Sequence, residues 1–260
     1  MTTPTLHDSE DGAKVKSLHK ALGLLDYFTI DKTELGVTEL AQKSGMLKSS
    51  VSNILSTFEQ SGIVERNPAT GKYHLGLKIM ALSNLIYLNN DLRRVSRPVL
   101  ERIADICQET VYLAKMYDMT QIIYLDSIFP RGNSGGKNLI GLRVPAYCTG
   151  LGKTLLAYQP PEYVDAVARA GMPRYTENTI CDPGALRREL ERIRRRGYGI
   201  DNIEHEKNLR CVSLPLHNSE GAVVAAISLS GPPMRFTDEK IEEYAYTIRD
   251  QISGLDGLLH

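Results

Sequence analysis

Apolar residues recur every three or four positions in the first sixty residues, a spacing typical of amphipathic helices. A first helix is predicted at 15–28, with a buried stripe of Val15, Leu18, Leu22, Leu25 and Phe28. A second is predicted from Thr38, a plausible N-cap, to Gly45, a typical C-terminal residue. A third follows at 46–60, and its predicted buried face consists of Val51, Ile54, Leu55 and Phe58.

Two short β-strands are expected after the third helix. Residues 63–66 and 72–75 flank Asn-Pro-Ala-Thr-Gly, a turn-rich hairpin loop. Two helices, a tight turn between them and a two-stranded wing form the layout of a winged helix-turn-helix, which presents one helix to the DNA major groove. The third helix suits this role because its side opposite the apolar stripe carries small hydrogen-bonding residues: Ser49, Asn53, Ser56 and Gln60.

The charge balance limits how such a domain can bind DNA. Residues 1–75 carry eight basic and nine acidic side chains, and the whole chain has a formal net charge of +0. Affinity for double-stranded operator DNA would therefore come from a few placed groups, multiplied by oligomerisation. The candidate DNA-binding residues are Thr38, Lys48, Ser49, Ser50, Ser52, Asn53, Ser56, Arg66 and Lys72. The alternative interpretation is a merely solvated helix face.

A helix at 77–88 is predicted to link two domains. Its apolar residues are Leu77, Met80, Ala81, Leu85 and Leu88, and the small N-terminal domain has no core residues left to cover them. We expect this helix to pair partly with its copy in a second subunit. The predicted organisation is a disordered tail (1–12), a winged helix-turn-helix domain (13–76), a linker helix (77–90) and an effector-binding and oligomerisation domain (91–260).

The remainder of the chain mixes helices with strands. Helices are expected at 91–109, 150–158, 161–170, 183–196 and 238–259, strands at 111–116, 121–127, 211–216 and 222–230, and a glycine-rich loop at 130–138. This order indicates an α+β module with an antiparallel sheet. The arginine-rich segment 187–196 invites a nucleic-acid interpretation, but Leu186, Leu190 and Ile193 give its helix a buried stripe. The arginines are therefore expected on solvated flanks.

Composition excludes several other classes of protein. The chain of 260 residues is 42% hydrophobic and 24% charged, as is usual for a globular protein of one large or two small domains. It has no run of eighteen apolar residues and no signal-peptide pattern, so no membrane span is expected. Its four scattered cysteines, without a CxxC pair, fit the reducing cytoplasm.

Three segments together resemble the IclR family of bacterial transcriptional regulators. They are the helix-turn-helix and wing at 36–75, VPAYCTGLGKTLLA at 144–157, and GYGIDNIEHEKNLRC at 197–211 followed by AAISLSGP at 225–232. The resemblance implies a winged helix domain, a linker helix and a GAF-like domain that binds a small organic effector. It also implies a homodimer or dimer of dimers whose operator occupancy changes with the effector, and no cofactor.

Matching the family residue by residue implies an effector pocket formed by Val144, Gly150, Leu151, Asp201, Leu209, Cys211, Ser228 and Ser230. Residues two apart in a strand share a face, so Ser228 and Ser230 can both point inward. Gly150 and Leu151 would lie at a helix N-terminus, where free N–H groups favour a carboxylate. Asp201 could accept a hydrogen bond from a ligand hydroxyl. We therefore expect a small carboxylate effector, a sugar acid or a keto or hydroxy acid.

The chain also departs from the family pattern. Asn53 stands where an arginine is usual, and Ser50 where threonine is common; asparagine prefers adenine, so the operator sequence cannot be borrowed. Asn208 replaces a frequent glycine before Leu209, and asparagine tolerates positive φ. Cys148 stands where smaller residues are common and would narrow the pocket.

Three alternative functions compete with the effector-controlled regulator. An enzyme could use Cys211 with His205, or Cys148 with Lys153, as nucleophile and base. Buried cysteines are usually inert, however, so no catalytic residue is expected. A metal site formed by His205, Cys211 and Asp201 lacks a recognised ligand spacing. The third alternative is a DNA-binding protein whose C-terminal module only oligomerises.

Overall fold

A computed structural model describes residues 14–131 and 136–255 of the chain. The tail predicted at 1–12 and the middle of the glycine-rich loop predicted at 130–138 lie outside the described residues. The chain divides into two compact units, one up to Asn89 and one from Asn90.

The first unit contains the predicted helix-turn-helix and wing. Its helices are α1 (Lys16–Gly23), α2 (Val37–Ser44), α3 (Lys48–Gln60) and α4 (Leu77–Leu88), and a 3-10 turn at Leu24–Tyr27 follows α1. The wing consists of β1 (Val64–Arg66) and β2 (Tyr73–Leu75), which pair antiparallel with Glu65 opposite His74. Val51, Leu55 and Phe58 of α3 are buried as predicted, whereas Ile54 is half-buried.

The stripe predicted for the first helix is wrong over its first half. Val15, Leu18 and Leu22 are exposed, and the buried residues are Ala21, Leu24 and Tyr27. These three lie three residues apart because the chain tightens after Gly23 into a 3-10 helix, which has three residues per turn. Leu25 and Phe28 pack only partly against the core.

The ends of α2 differ in how well they were predicted. The N-cap is Gly36 rather than Thr38, because the Glu39 carboxylate accepts the backbone N–H of Gly36 at 3.0 Å and so starts the helix two residues earlier. Gly45 follows the last helical residue with φ of 70°, as the sequence predicted.

Helix α4, which the sequence predicts to be a linker, has no buried residue. The predicted stripe of Leu77, Met80, Leu85 and Leu88 is exposed, and Leu82 and Ile86 are exposed beside it. The helix is therefore apolar on more than one face, broader than the single stripe predicted.

The second unit is a six-stranded antiparallel sheet covered by helices. Its helices are α5 (Asp91–Cys107), α6 (Gly150–Leu156), α7 (Pro161–Ala170), α8 (Pro183–Arg196) and α9 (Asp238–Ile252). Its strands are β3 (Thr110–Met116), β4 (Gln121–Ile128), β5 (Arg143–Pro145), β6 (Gly199–Asn202), β7 (Arg210–His217) and β8 (Val223–Gly231), in the order β5-β4-β3-β8-β7-β6. The sequence missed β5 and β6, and α9 ends at Ile252 rather than 259.

Alternating residues of each strand separate two hydrophobic cores. Leu113, Leu214 and Ile227 face a core shared with α5 and α9. Residues of the opposite parity, such as Tyr112 and Ala226, face a core shared with α6, α7 and α8. The cavity described below lies on this second face.

The arginine-rich helix α8 folds as predicted. Its buried residues include Leu186, Leu190 and Ile193, and its arginines make local contacts. Arg187 pairs with Asp165, while Arg192 and Arg196 both pair with Glu189. Across the part of the chain that the structure describes, no helix combines the length and apolar character needed to cross a membrane.

Candidate functional site

A cavity of about 370 Å³ lies between the sheet and α6. Four residues that line it form one row across adjacent strands: Thr110 pairs with Ser230, Ser230 with Cys211, and Cys211 with Asp201. In the next row Tyr112 pairs with Ser228. The antiparallel register therefore brings together polar groups from four strands that are far apart in sequence.

Seven of the eight predicted pocket residues line this cavity: Gly150, Leu151, Asp201, Leu209, Cys211, Ser228 and Ser230. Val144 is the exception, because β5 pairs at the sheet edge and directs this side chain into the core shared with α6. The expectation that Cys148 narrows the pocket is wrong as well. Cys148 is fully buried in the same core and is not among the residues that line the cavity.

The two serines differ in their hydrogen bonds. The Ser230 hydroxyl donates to Cys211 Sγ at 3.0 Å. The Ser228 hydroxyl makes no hydrogen bond to any residue that the structure describes, so it is available to a ligand. Tyr112 and Tyr124 form the neighbouring apolar wall, with ring centroids 5.4 Å apart in an edge-to-face arrangement.

The start of α6 supplies backbone donors to the cavity. Thr149 caps the helix, since its hydroxyl accepts the N–H of Gly152 at 3.1 Å. The first N–H groups of a helix have no partner within the helix. The amides of Gly150 and Leu151 are in this position, and both residues line the cavity.

Asp201 is a buried carboxyl group with a shifted pKa. Burial raises the pKa of Asp201 to about 7, although the Lys153 ammonium and the backbone N–H of Glu204 favour the charged form. The Glu204 N–H donates to Asp201 Oδ1 at 2.7 Å. The fully buried Lys153 of α6 forms an ion pair with Glu204. A carboxyl group with a pKa raised in this way can donate a hydrogen bond as well as accept one.

The loop that follows β6 is held in an unusual conformation. Ile203 has φ of 59°, which is costly for a β-branched residue. The Thr176 hydroxyl donates to the Ile203 carbonyl at 2.5 Å, and the Thr179 hydroxyl donates to that of Glu204 at 2.6 Å. Asn208 has φ of 64°, which confirms that asparagine occupies a left-handed position here.

Two ion pairs at the cavity were not predicted. Arg235 pairs with Glu109 and Lys137 pairs with Glu206, and all four line the cavity together with Tyr112 and Tyr124. The sequence indicated the position of Tyr112 only through strand alternation. Tyr112 lies between Val111 and Leu113, so its side chain was expected on the opposite face of the strand from theirs. No spacing in the sequence connects Glu109 to Arg235.

The two cysteines considered as nucleophiles are buried. All four cysteines are free, and burial raises the pKa of both Cys148 and Cys211. Lys153 pairs with Glu204, which occupies the amine suggested as a base for Cys148. Among the described residues, no three side chains of His, Cys, Asp or Glu are grouped so as to hold a metal ion.

The candidate DNA-reading face of α3 is open to solvent. Ser49, Ser52, Asn53 and Ser56 are exposed, and Ser50 is half-buried. Within the described part of the chain, neither the Asn53 amide nor these exposed hydroxyls has a hydrogen-bond partner. Thr38, in the first turn of α2, is also exposed. These groups are therefore free to contact another molecule.

The basic residues near this face differ in their contacts. Lys48 is exposed at the start of α3. Arg66 Nε donates to the Gly71 carbonyl at 3.3 Å, so the guanidinium lies along the wing hairpin. Lys72 Nζ lies 3.3 Å from Glu39 Oε2, and this ion pair partly compensates its charge.

Two family models and many relatives match the chain. The model for the bacterial transcriptional regulator IclR C-terminal region matches residues 86–256, and the model for the IclR helix-turn-helix domain matches 17–68. The HTH-type transcriptional regulator KdgR of Escherichia coli (strain K12) is 35% identical over 231 residues, 88% of this chain and 87% of KdgR.

Solved structures share the fold. The crystal structure of the Thermotoga maritima IclR has a TM-score of 0.65 and 31% identity, covering 91% of this chain and 95% of that chain. An IclR homologue from Microbacterium hydrocarbonoxydans, crystallised with 4-hydroxybenzoate, has a TM-score of 0.72 and 26% identity, covering 92% and 99%. The likeness therefore spans both units of the chain.

Proposed function

The chain belongs to the IclR family of bacterial transcriptional regulators, and from that premise we propose that it controls a catabolic operon in response to a small organic acid. The proposed effector is a sugar acid or a keto or hydroxy acid bound in the cavity beneath α6. The proposed partners are double-stranded operator DNA and further copies of the same chain.

The cavity is the observation that most supports an effector. Its volume of about 370 Å³ falls in the range of small-molecule sites. One side offers the Ser228 hydroxyl, the Asp201 carboxyl group and the amides that begin α6, while the tyrosine pair offers apolar surface. Such a set suits a molecule with one carboxylate and several hydroxyl or keto oxygens. The Microbacterium homologue was crystallised with 4-hydroxybenzoate, itself a hydroxylated carboxylate.

The exposed face of α3 supports DNA recognition. Asn53 would read a base edge, Ser49 and Ser56 would approach the groove closely, and Lys48 and Arg66 would contact phosphates. We propose that four further residues position the domain on the sugar-phosphate backbone of the DNA: Thr38, Ser50, Ser52 and Lys72. Lys72 would have to exchange its contact with Glu39 for a phosphate.

Pairing of two subunits would supply the affinity that one domain lacks. The exposed apolar side chains of α4 are suited to pack against their copies in a dimer. Two reading helices would then reach half-sites about 34 Å apart, or a multiple of that distance. Effector binding would alter DNA affinity by favouring one arrangement of the subunits, to the extent of its differential affinity for the two.

DNA recognition is tested with duplexes that cover the region upstream of the chain's own gene. Fluorescence anisotropy should show specific binding, and Asn53→Ala should weaken it by about 1–3 kcal/mol if Asn53 makes a bidentate base contact. Gln159→Ala removes a partly exposed amide from the C-terminal unit and should leave affinity unchanged. Equal affinities of the Asn53 variant and the wild type would contradict the role of Asn53.

Effector control is tested with D-gluconate, D-galacturonate, glycolate and pyruvate on the preformed DNA complex. At least one acid should change the DNA affinity, and Ser228→Ala with Ser230→Ala should shift that response to higher acid concentrations while DNA binding persists. If none of the acids alters the DNA affinity, the result favours the alternative in which the C-terminal unit only oligomerises the DNA-binding units. A response unchanged in the double variant would locate the effector elsewhere.

A further inference from the structure

The predicted pocket residues offer an acidic effector the backbone amides of α6 but no cationic side chain. Among the described residues, the cavity is lined by the carboxyl groups of Glu109, Asp201 and Glu206 and by the cations Lys137 and Arg235. Burial lowers the pKa of His205, so this residue adds no charge at neutral pH. Lys137 and Arg235 are therefore the candidate counter-ions.

Arg235 is held at the cavity by a buried carboxylate. It ends the 3-10 turn Pro233–Arg235 that follows β8. Its Nε lies 2.5 Å from Glu109 Oε1, and its Nη2 lies 2.9 Å from Glu109 Oε2. Glu109 is only 3% exposed and precedes the first residue of β3. This two-point contact fixes the plane of the guanidinium.

The backbone beside this pair leaves room for it. A Cβ atom at Gly231 would lie 2.7 Å from Glu109 Oε2 and 2.5 Å from the Phe236 ring. Either distance is too short for a real side chain, so glycine at the end of β8 lets the carboxylate and the ring approach. The Glu109–Arg235 pair is therefore part of the packed structure and not a chance contact between two surface side chains.

The guanidinium retains donors after pairing with Glu109. Arginine has five N–H donors, and Glu109 accepts one from Nε and one from Nη2. Two of the three remaining hydrogens, one on Nη1 and one on Nη2, form the Nη1–Nη2 edge, and none of the three has a partner among the residues that the structure describes. That edge matches a carboxylate in a bidentate geometry.

We propose that Arg235 binds the effector's carboxylate through this second edge and that Glu109 is the positioning residue that orients it. The inference rests on the proposed function, since it requires an acidic effector in the cavity. Lys137 is less suited because its side chain is 69% exposed and its partner Glu206 is 39% exposed. Neither end of that pair is fixed by burial.

Isothermal titration of the full chain tests the proposal with matched acids and amides. The probes are D-gluconate and D-gluconamide, pyruvate and pyruvamide, and 4-hydroxybenzoate and 4-hydroxybenzamide. For an acid that binds the wild type, Arg235→Gln should weaken binding about tenfold or more. Arg235→Lys keeps the charge but loses the planar edge, so its affinity for the acid should lie between those of the wild type and Arg235→Gln. Affinity for the matching amide should change less than threefold in both variants.

Glu109→Gln tests the positioning role by the same comparison of acid with amide. It should weaken the binding of the acid more than the binding of the amide, and Glu109→Asp should recover part of the lost affinity. A general folding defect would weaken the binding of both ligands alike. Arg187→Gln is the matched control, because Arg187 has the same side-chain exposure of 49% and also pairs with a carboxylate, away from the cavity. It should leave both affinities unchanged.

The outcomes separate the two proposals. If the wild type binds an acid and Arg235→Gln binds it equally well, or loses acid and amide in parallel, Arg235 does not bind the carboxylate. In either case the cavity still binds an acid, and the proposed function stands. If the wild type binds none of these acids, the proposed effector class and the role of Arg235 are both wrong.

Discussion

Ser228 and Ser230 share one face of β8, yet their hydroxyls have different surroundings. Ser230 already donates to Cys211, while Ser228 has no partner among the described residues. A ligand can therefore gain a hydrogen bond from Ser228 without breaking another. An unpaired hydroxyl beside a cavity is the better candidate for a direct ligand contact.

Single substitutions should distinguish these serines. Ser228→Ala should weaken the binding of a responsive acid by about two- to tenfold, as expected for the loss of one net hydrogen bond. Ser230→Ala should have a smaller effect, since its hydroxyl serves the protein. Calorimetric titration of each variant measures the difference. A larger loss for Ser230→Ala would show that the thiol contact is exchanged for the ligand.

Asp201 should make stability depend on pH below neutrality. Burial raises the pKa of Asp201 to about 7, above the value near 4 of an unfolded aspartate. Between these values the folded state holds a proton that the unfolded state has lost, so stability falls as pH rises from about 4 to 7 and then levels off. Asp201→Asn lacks this term. The melting temperature of the wild type minus that of the variant should therefore decrease between pH 5 and 7 and stay constant above 8.

A difference that does not change with pH would mean that Asp201 titrates normally. The comparison isolates Asp201 because both proteins retain Lys153 and Glu204. Coupling to that pair would broaden the transition without reversing its direction.

At the scale of single residues, sequence predicted the pocket only where local spacing or family resemblance applied. Ser228, Ser230 and Cys211 lie on strands, and alternation assigned them a common face. Glu109 and Arg235 are separated by 126 positions. Their pairing depends on the sheet order β3-β8 and on the turn after β8, neither of which leaves a periodic signal.

Elements were predicted well where they are long and strongly patterned. Helix α4 has the predicted bounds, and each strand of the β7–β8 hairpin begins and ends within one residue of the prediction. Strands β5 and β6 were missed because they have three and four residues, too few for alternation to register. The buried stripe of the first helix was predicted wrongly because its exposed leucines have the spacing of a core stripe.

The exposed face of α4 should mediate self-association. Ile86→Glu would place a charge in the proposed interface, and we expect it to shift the protein toward monomer and to weaken DNA binding by at least tenfold. Sedimentation velocity and anisotropy provide the two measurements. Ile30→Glu is a matched control in the same unit, with 68% exposure against 71% for Ile86. If Ile86→Glu has the same mass and affinity as the wild type, α4 does not form the interface.

At the scale of the whole molecule, the division at Asn89 and Asn90 predicts two thermal transitions. An acid that binds the cavity should raise only the transition of the C-terminal unit, by about 2.7 kcal/mol in stability at one hundred times Kd. Operator DNA should raise only the melting temperature of the N-terminal unit. Differential scanning calorimetry of the full chain with each ligand separates them. A single transition that shifts as one with either ligand would mean that the two units unfold together.

Gly76 allows the start of α4 to pack directly against the backbone of the DNA-binding unit. Its N–H donates to the Ile63 carbonyl at 2.8 Å, and a Cβ atom there would lie 2.4 Å from the Gly62 carbonyl oxygen. The next amide, of Leu77, donates to Glu65 at 3.0 Å. The first turn of α4 is thus clamped to the wing. The twelve residues of α4 span about 18 Å. A rotation of its far end, next to Asn90, would therefore also rotate the wing and α3.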